Sequence, residues 1–271
     1  MILKTKLFGQ VYAFKSLKEV LAKANEEKSR DKLAGLAAET AEERVTAKIV
    51  LAEVTLEDLR NNPVVPYEMD EVTRIIQDDI NASIYNEIKR MTVSEFREWL
   101  LDEETTGAMI RRASRGLTSE MVAAVAKLMS DMDLIYGARK IRVTAHCNTT
   151  IGEEGTLSAR LQPNHPTDDP DGIMASIFEG LTYGSGDAVI GLNPVDDSVE
   201  SVKRLLQRFE ETKQKFQIPT QNCVLAHVTT QMEAINKGAP SDLIFQSIAG
   251  SELGNTAFGF NAATLEEARH L

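Results

Sequence analysis

From Thr156 onward the sequence alternates short apolar runs with segments of helical period, and this alternation narrows the possible folds more than any other feature. The runs are Thr156–Leu161, Ala188–Leu192, Cys223–Val228 and Leu243–Ile248. Apolar spacing predicts helices over 171–183, 199–216, 230–237 and 262–271 between and after them. A β-α-β-α-β-α-β-α order needs crossover connections and so favours parallel strands. The runs at 188–192 and 243–248 are mostly apolar, as strands covered on both faces should be. Polar residues gather where the runs end: Arg160 and Gln162, Asn193, His227 and Thr229, Gln246 and Ser247. In (β/α) folds that edge carries the site.

The preceding part reads as helices only. Ser16, Thr40, Thr55 and Thr118 stand where helix caps belong, each followed by apolar residues at helical spacing. Val72–Ile88 repeats its apolar residues as one long helical stretch. Asn62-Pro63 ends a helix, because the residue before proline avoids the helical region. These patterns predict a helical segment over 1–113 and a β/α domain over 114–271, with no strand before it.

Four βα units fit an open doubly wound sheet or half of an eight-fold barrel. The open sheet of a dinucleotide-binding protein carries a glycine-rich phosphate turn after its first strand. Here Gln162-Pro-Asn-His-Pro166 follows, and neither G-x-G-x-x-G nor G-x-x-x-x-G-K-[ST] occurs. A half barrel leaves two bare strand edges, and the last helical pattern lacks a C-cap signal. This reading therefore expects a piece of a longer polypeptide.

Composition removes other classes. The chain has 271 residues, with 41 Asp plus Glu against 30 Lys plus Arg and a net charge of −11. Such a surface repels phosphate backbones, so no nucleic-acid partner is expected. Cys147 and Cys223 make no disulfide framework, which points to a reducing cytoplasmic setting. No apolar run approaches the ~20 residues of a membrane span, and the first residues lack a signal peptide's pattern.

Arg160 and Gln162 lie two apart on a strand and so share a face. An arginine inside a barrel either binds a ligand or closes a buried ion pair. Asn193-Pro194 after an apolar strand reads as a ligand contact or as turn chemistry. Gln246 and Ser247 read as ligand contacts or as hydrogen bonds closing a barrel end. Cys223 and His227, with His146-Cys147 upstream, raise a zinc site or a Cys-His nucleophile pair, although no C-x-x-C or H-E-x-x-H spacing accompanies them. Phe258-Gly-Phe260 walls a pocket or fills a core, and Asp168-Asp169 and Asp196-Asp197 stand where helix caps belong.

At these residues the sequence resembles the large subunit of ethanolamine ammonia-lyase. The matching stretches include Asn61-Asn-Pro-Val64, Val72-Thr-Arg-Ile-Ile-Gln-Asp-Asp79, Asn148-Thr-Thr-Ile-Gly152, Ser158-Ala-Arg-Leu-Gln-Pro163, Gly186-Asp-Ala-Val-Ile-Gly-Leu-Asn-Pro194, Cys223-Val-Leu-Ala-His-Val-Thr-Thr-Gln231 and Leu243-Ile-Phe-Gln-Ser247. The resemblance runs from end to end. It implies a TIM-type barrel behind a helical segment, and conversion of ethanolamine to acetaldehyde and ammonia by a radical route with adenosylcobalamin, the cobalt-containing coenzyme B12. It also implies a small-subunit partner, a hetero-oligomer, and a place in an ethanolamine-utilisation microcompartment. Carried over by position, Arg160 is the catalytic residue, and Arg160, Gln162, Asn193 and Phe258 contact substrate. Pro194, Gln246 and Ser247 lie near the cobalamin. The family's chain continues past the position of Leu271, and the carboxylates that grip the substrate's ammonium lie in that later part. Two other functions compete: an inactive fragment serving as an interaction or assembly module, and an unrelated (β/α) hydrolase using Cys223 and His227.

Overall fold

Local capping chemistry sets most helix starts in this protein. Its structure is a computed structural model that describes residues 2–271. Ser16, Thr40, Thr55 and Thr118 each accept the backbone N–H three residues on, satisfying a donor that the helix itself leaves orphaned. At Thr55 the box closes, since the Asp58 carboxylate accepts from the Thr55 backbone in return.

The contacts divide the chain into two units, one ending at Arg142 and the other spanning Val143–Leu271. The first holds strands β1 (Lys4–Leu7) and β2 (Gln10–Ala13), then helices α1 (Leu17–Lys23), α2 (Ser29–Leu33), α3 (Ala41–Ala52), α4 (Leu56–Asn61), α5 (Glu71–Asp78), α6 (Ala82–Ile88), α7 (Val93–Leu101), α8 (Gly107–Ser114), α9 (Ser119–Lys127) and α10 (Asp131–Lys140). Its core joins Leu17, Val20, Leu51, Leu56, Leu59 and Met121.

Two sequence expectations are corrected in this unit. A hairpin precedes the helices: β1 pairs antiparallel with β2 across Phe8-Gly9, where both residues have positive φ (49° and 86°). That is the geometry of a two-residue hairpin turn, but a phenylalanine there disguises it. Val72–Ile88 forms two helices, because the Asn81 side chain caps α6 and restarts the chain. The division between the two units falls after α10, between Arg142 and Val143.

The second unit holds β3 (Ala145–His146), β4 (Thr150–Ile151), β5 (Arg160–Leu161), α11 (Pro170–Thr182), β6 (Val189–Leu192), α12 (Val199–Phe216), β7 (Asn222–Val224), α13 (Val228–Asn236), α14 (Glu252–Ala257) and α15 (Ala262–Arg269). Strands β5, β6 and β7 form a parallel sheet in that order, with Leu161 opposite Ile190 and Gly191 opposite Cys223. Sequential neighbours joined by helices are the βαβ arrangement that the alternation predicted. The unit is mixed α/β, and its sheet is open among the described residues.

The expected fourth strand, 243–248, is a segment without regular secondary structure, outside the ladder. Leu243 donates to the Asn222 carbonyl, but the Phe245 backbone is satisfied by a side chain: its N–H donates to Gln231 Oε1 (3.0 Å) and its carbonyl accepts from Gln231 Nε2 (2.7 Å). A buried amide thus replaces the strand partner. The first strand is shorter than expected because Asp187 Oδ1 takes the Ala159 N–H at 2.7 Å. Leu157 before it is fully exposed.

Helices cover one sheet face. Ile173 and Ile177 of α11, Val202, Leu205, Leu206 and Phe209 of α12, and Ala234 of α13 form one cluster with Ile190, Leu192 and Val224. The β3–β4 turn seals the sheet's N-terminal end. Asn148 and Thr149 donate their backbone N–H groups to the buried Gln221 Oε1, at 3.1 and 3.2 Å.

Candidate functional site

Strand alternation sends Arg160, Gly191 and Cys223 to the face opposite that cluster. Arg160 is exposed, and its guanidinium carbon lies 5.0 Å from the centre of the Phe245 ring. No carboxylate pairs with it among the described residues. The buried ion pair weighed from sequence is therefore not what holds it. Cys223 is buried, and burial pushes its thiol up while the Arg160 charge pulls the other way. Gln162, two residues on, is exposed and its amide makes no hydrogen bond among the described residues.

Asn193 leaves β6 at the same end. Its side-chain oxygen is buried without a hydrogen-bond partner. Its backbone is fixed by a residue sequence reasoning missed, for the Asn193 N–H donates to Asn164 Oδ1 at 2.9 Å. Asp168 extends the same fastening. Its Oδ2 accepts from Val195 N (2.8 Å) and Asp196 N (2.7 Å), while its Oδ1 is buried and unpartnered. The loop after β5 thus fixes the loop after β6. Of the four aspartates expected to cap helices, Asp169 caps α11, but Asp168 holds this neighbouring loop instead. Ser198 caps α12, with Asp196 accepting from Ser198.

Gln246 is largely committed to the chain: its Oε1 accepts from Val228 N at 2.9 Å and its Nε2 donates to Ser247 O. Ser247 is exposed, and its hydroxyl makes no hydrogen bond among the described residues. Phe258 follows α14 and is 65% exposed. The aromatic neighbour of Arg160 is Phe245 rather than Phe258, and only folding could reveal it.

No hydrogen bond joins Cys223 to His227 among the described residues. His227 Nδ1 contacts Thr229 Oγ1 at 2.7 Å and Nε2 contacts Phe258 O at 2.8 Å, which occupies both ring nitrogens. With a thiol raised by burial, this set makes a poor nucleophile and base. His146 Nδ1 is turned to Thr150 Oγ1, and no three His, Cys, Asp or Glu side chains gather for a metal among the described residues.

The polar groups left over, acceptor as well as donor, suit a ligand edged with neutral polar groups. Asn193 has a buried unpartnered oxygen, Ser247 a spare hydroxyl, and Gln246 one remaining amide N–H.

Fold and geometry together define a β/α protein with a candidate small-molecule site at the C-terminal ends of its parallel strands. The ethanolamine ammonia lyase large subunit (EutB) family model matches residues 12–271, and the chain belongs to that family. It is 60% identical over 269 residues to the ethanolamine ammonia-lyase large subunit of Escherichia coli (strain K12), covering 99% of this chain and 59% of that protein. The corresponding protein of Salmonella typhimurium (strain LT2) is 59% identical over the same share of each chain. The chain thus spans about 59% of the length of the curated relatives it matches. No helix among the described residues is long and apolar enough to cross a membrane.

Proposed function

We propose that this chain contributes the Arg160–Gln162–Asn193 part of an ethanolamine ammonia-lyase site, which converts ethanolamine to acetaldehyde and ammonia. The observation that carries the proposal is an arginine without a carboxylate and an asparagine with an orphaned buried oxygen, both at the C-terminal edge of a sheet helix-packed on its other face. Buried polar groups are seldom left unpaired without a ligand to take them. The sheet is read as an arc of a TIM-type barrel, with this edge at the barrel's mouth.

In this reading Gln162 and Asn193 hydrogen-bond the substrate's hydroxyl and amine. Arg160 cannot attract an ammonium, so it donates to the hydroxyl oxygen and stabilises charge developing there. Phe258 forms part of the pocket wall. Pro194, Gln246 and Ser247 border the adenosylcobalamin. When bound, that cofactor supplies the radical chemistry. The protein's share is to orient a small cationic alcohol and keep water from it. A small subunit, further large subunits and a microcompartment location in the cytoplasm complete the proposal.

The test is ammonia release by the natural polypeptide with its small subunit. Release that requires both ethanolamine and adenosylcobalamin supports the reading; none under these conditions refutes it and favours an assembly module.

A further inference from the structure

Gly191 sits mid-strand in β6, where glycine weakens a strand and often marks a close approach of other groups. No positive φ requires a glycine there. Space is what excludes one. A Cβ at 191 would stand 2.8 Å from Cys223 Sγ and 3.0 and 3.1 Å from Arg160 Nη2 and Nε. The guanidinium therefore occupies the space a side chain at 191 would take, beside a buried thiol and 5.0 Å from the centre of the Phe245 ring.

An arginine is usually held by a carboxylate, which spends its donors on the partner. Here shape and an aromatic face hold it, and the N–H fork stays free. We propose that Gly191 is a positioning residue for Arg160, its missing side chain opening the slot that aims the guanidinium at the ligand. The inference rests on the lyase reading given above and adds a residue to it.

In Gly191→Ala the buried Cys223 sulfur must shift and the Arg160 guanidinium must give by a few tenths of an ångström, so the unfolding midpoint of the variant is measured beside its activity. A shift of about 1 Å in a catalytic group can lower activity about 100-fold. The displacement expected here is a few tenths of an ångström, so in the complete holoenzyme G191A should lower kcat/KM by about 3- to 30-fold, short of that limit. In an Arg160→Ala background the same change should add less than about twofold, since the group it acts through is gone. Calorimetric titration of ethanolamine into the cofactor-free complex should show the same non-additivity. Phe245→Leu, at a residue 38% exposed, gives a second route: a smaller loss, again absent without Arg160.

Losses that multiply in the Arg160→Ala background would overturn the proposal, as would wild-type behaviour of G191A. Should Arg160→Ala itself prove fully active, the lyase-site reading fails instead. A crystal structure of G191A then decides the positioning role, an unmoved guanidinium refuting it and a displaced one supporting it.

Discussion

On the helix-packed face of the parallel sheet, Ile190, Leu192 and Val224 are at most 2% exposed and sit among the side chains of α11 and α12. On the other face Arg160 lies unpaired over Phe245, and at its edge Asn193 keeps a buried oxygen without a partner. The same strands carry both faces, so backbone pairing does not explain the contrast. Side-chain alternation separates a face optimised for packing from one that retains unused polar groups. Substitutions on the packed face should cost stability and those on the polar face should cost ligand chemistry.

The largest effect belongs to the packed face. Phe209→Ala should lose about 3–5 kcal/mol through lost burial and a residual cavity, read by denaturant unfolding. An unaffected midpoint would break the comparison at its stronger side. Next is Gln231→Leu, which strands both backbone groups of Phe245 and should cost about 1–3 kcal/mol. Faster hydrogen exchange at the Phe245 amide should accompany it; unchanged exchange would mean the amide pair does not hold 243–248 in place. Asp169→Ala removes the cap of α11 and should cost about 1 kcal/mol by thermal unfolding. Smallest in stability is Asn193→Ala, within about 0.5 kcal/mol, because the oxygen removed has no partner in the chain. Ethanolamine capture should nevertheless weaken, with cobalamin binding less affected; equal loss of both would make Asn193 a turn-shaping residue.

What was legible in the sequence was mostly local. Caps such as Ser16 and Thr40 reach three residues along the chain, and the α12 pattern over 199–216 coincides with the helix, so neither needs tertiary information. That the strands run parallel was legible too, because crossover helices leave a periodic trace. The hairpin at Phe8-Gly9 was hidden by a bulky residue at positive φ. The fourth strand was lost to Gln231, a residue distant in sequence that satisfies the Phe245 backbone. In the candidate site, Arg160, Gln162 and Asn193 were marked by their place at strand ends. Asn164, Asp168, Gly191 and Phe245 were not, since their roles exist only as distances across separate βα units.

The central claim is that the polar face serves ligand chemistry rather than folding, and Arg160→Ala tests it most directly in the complete enzyme. Turnover of ethanolamine and the unfolding midpoint are measured on the same preparation. The account predicts a midpoint shifted by no more than about 0.5 kcal/mol, with turnover lowered about 100- to 1,000-fold by loss of a preorganised donor. Near-normal turnover, or a turnover loss fully matched by loss of folded protein, would contradict it.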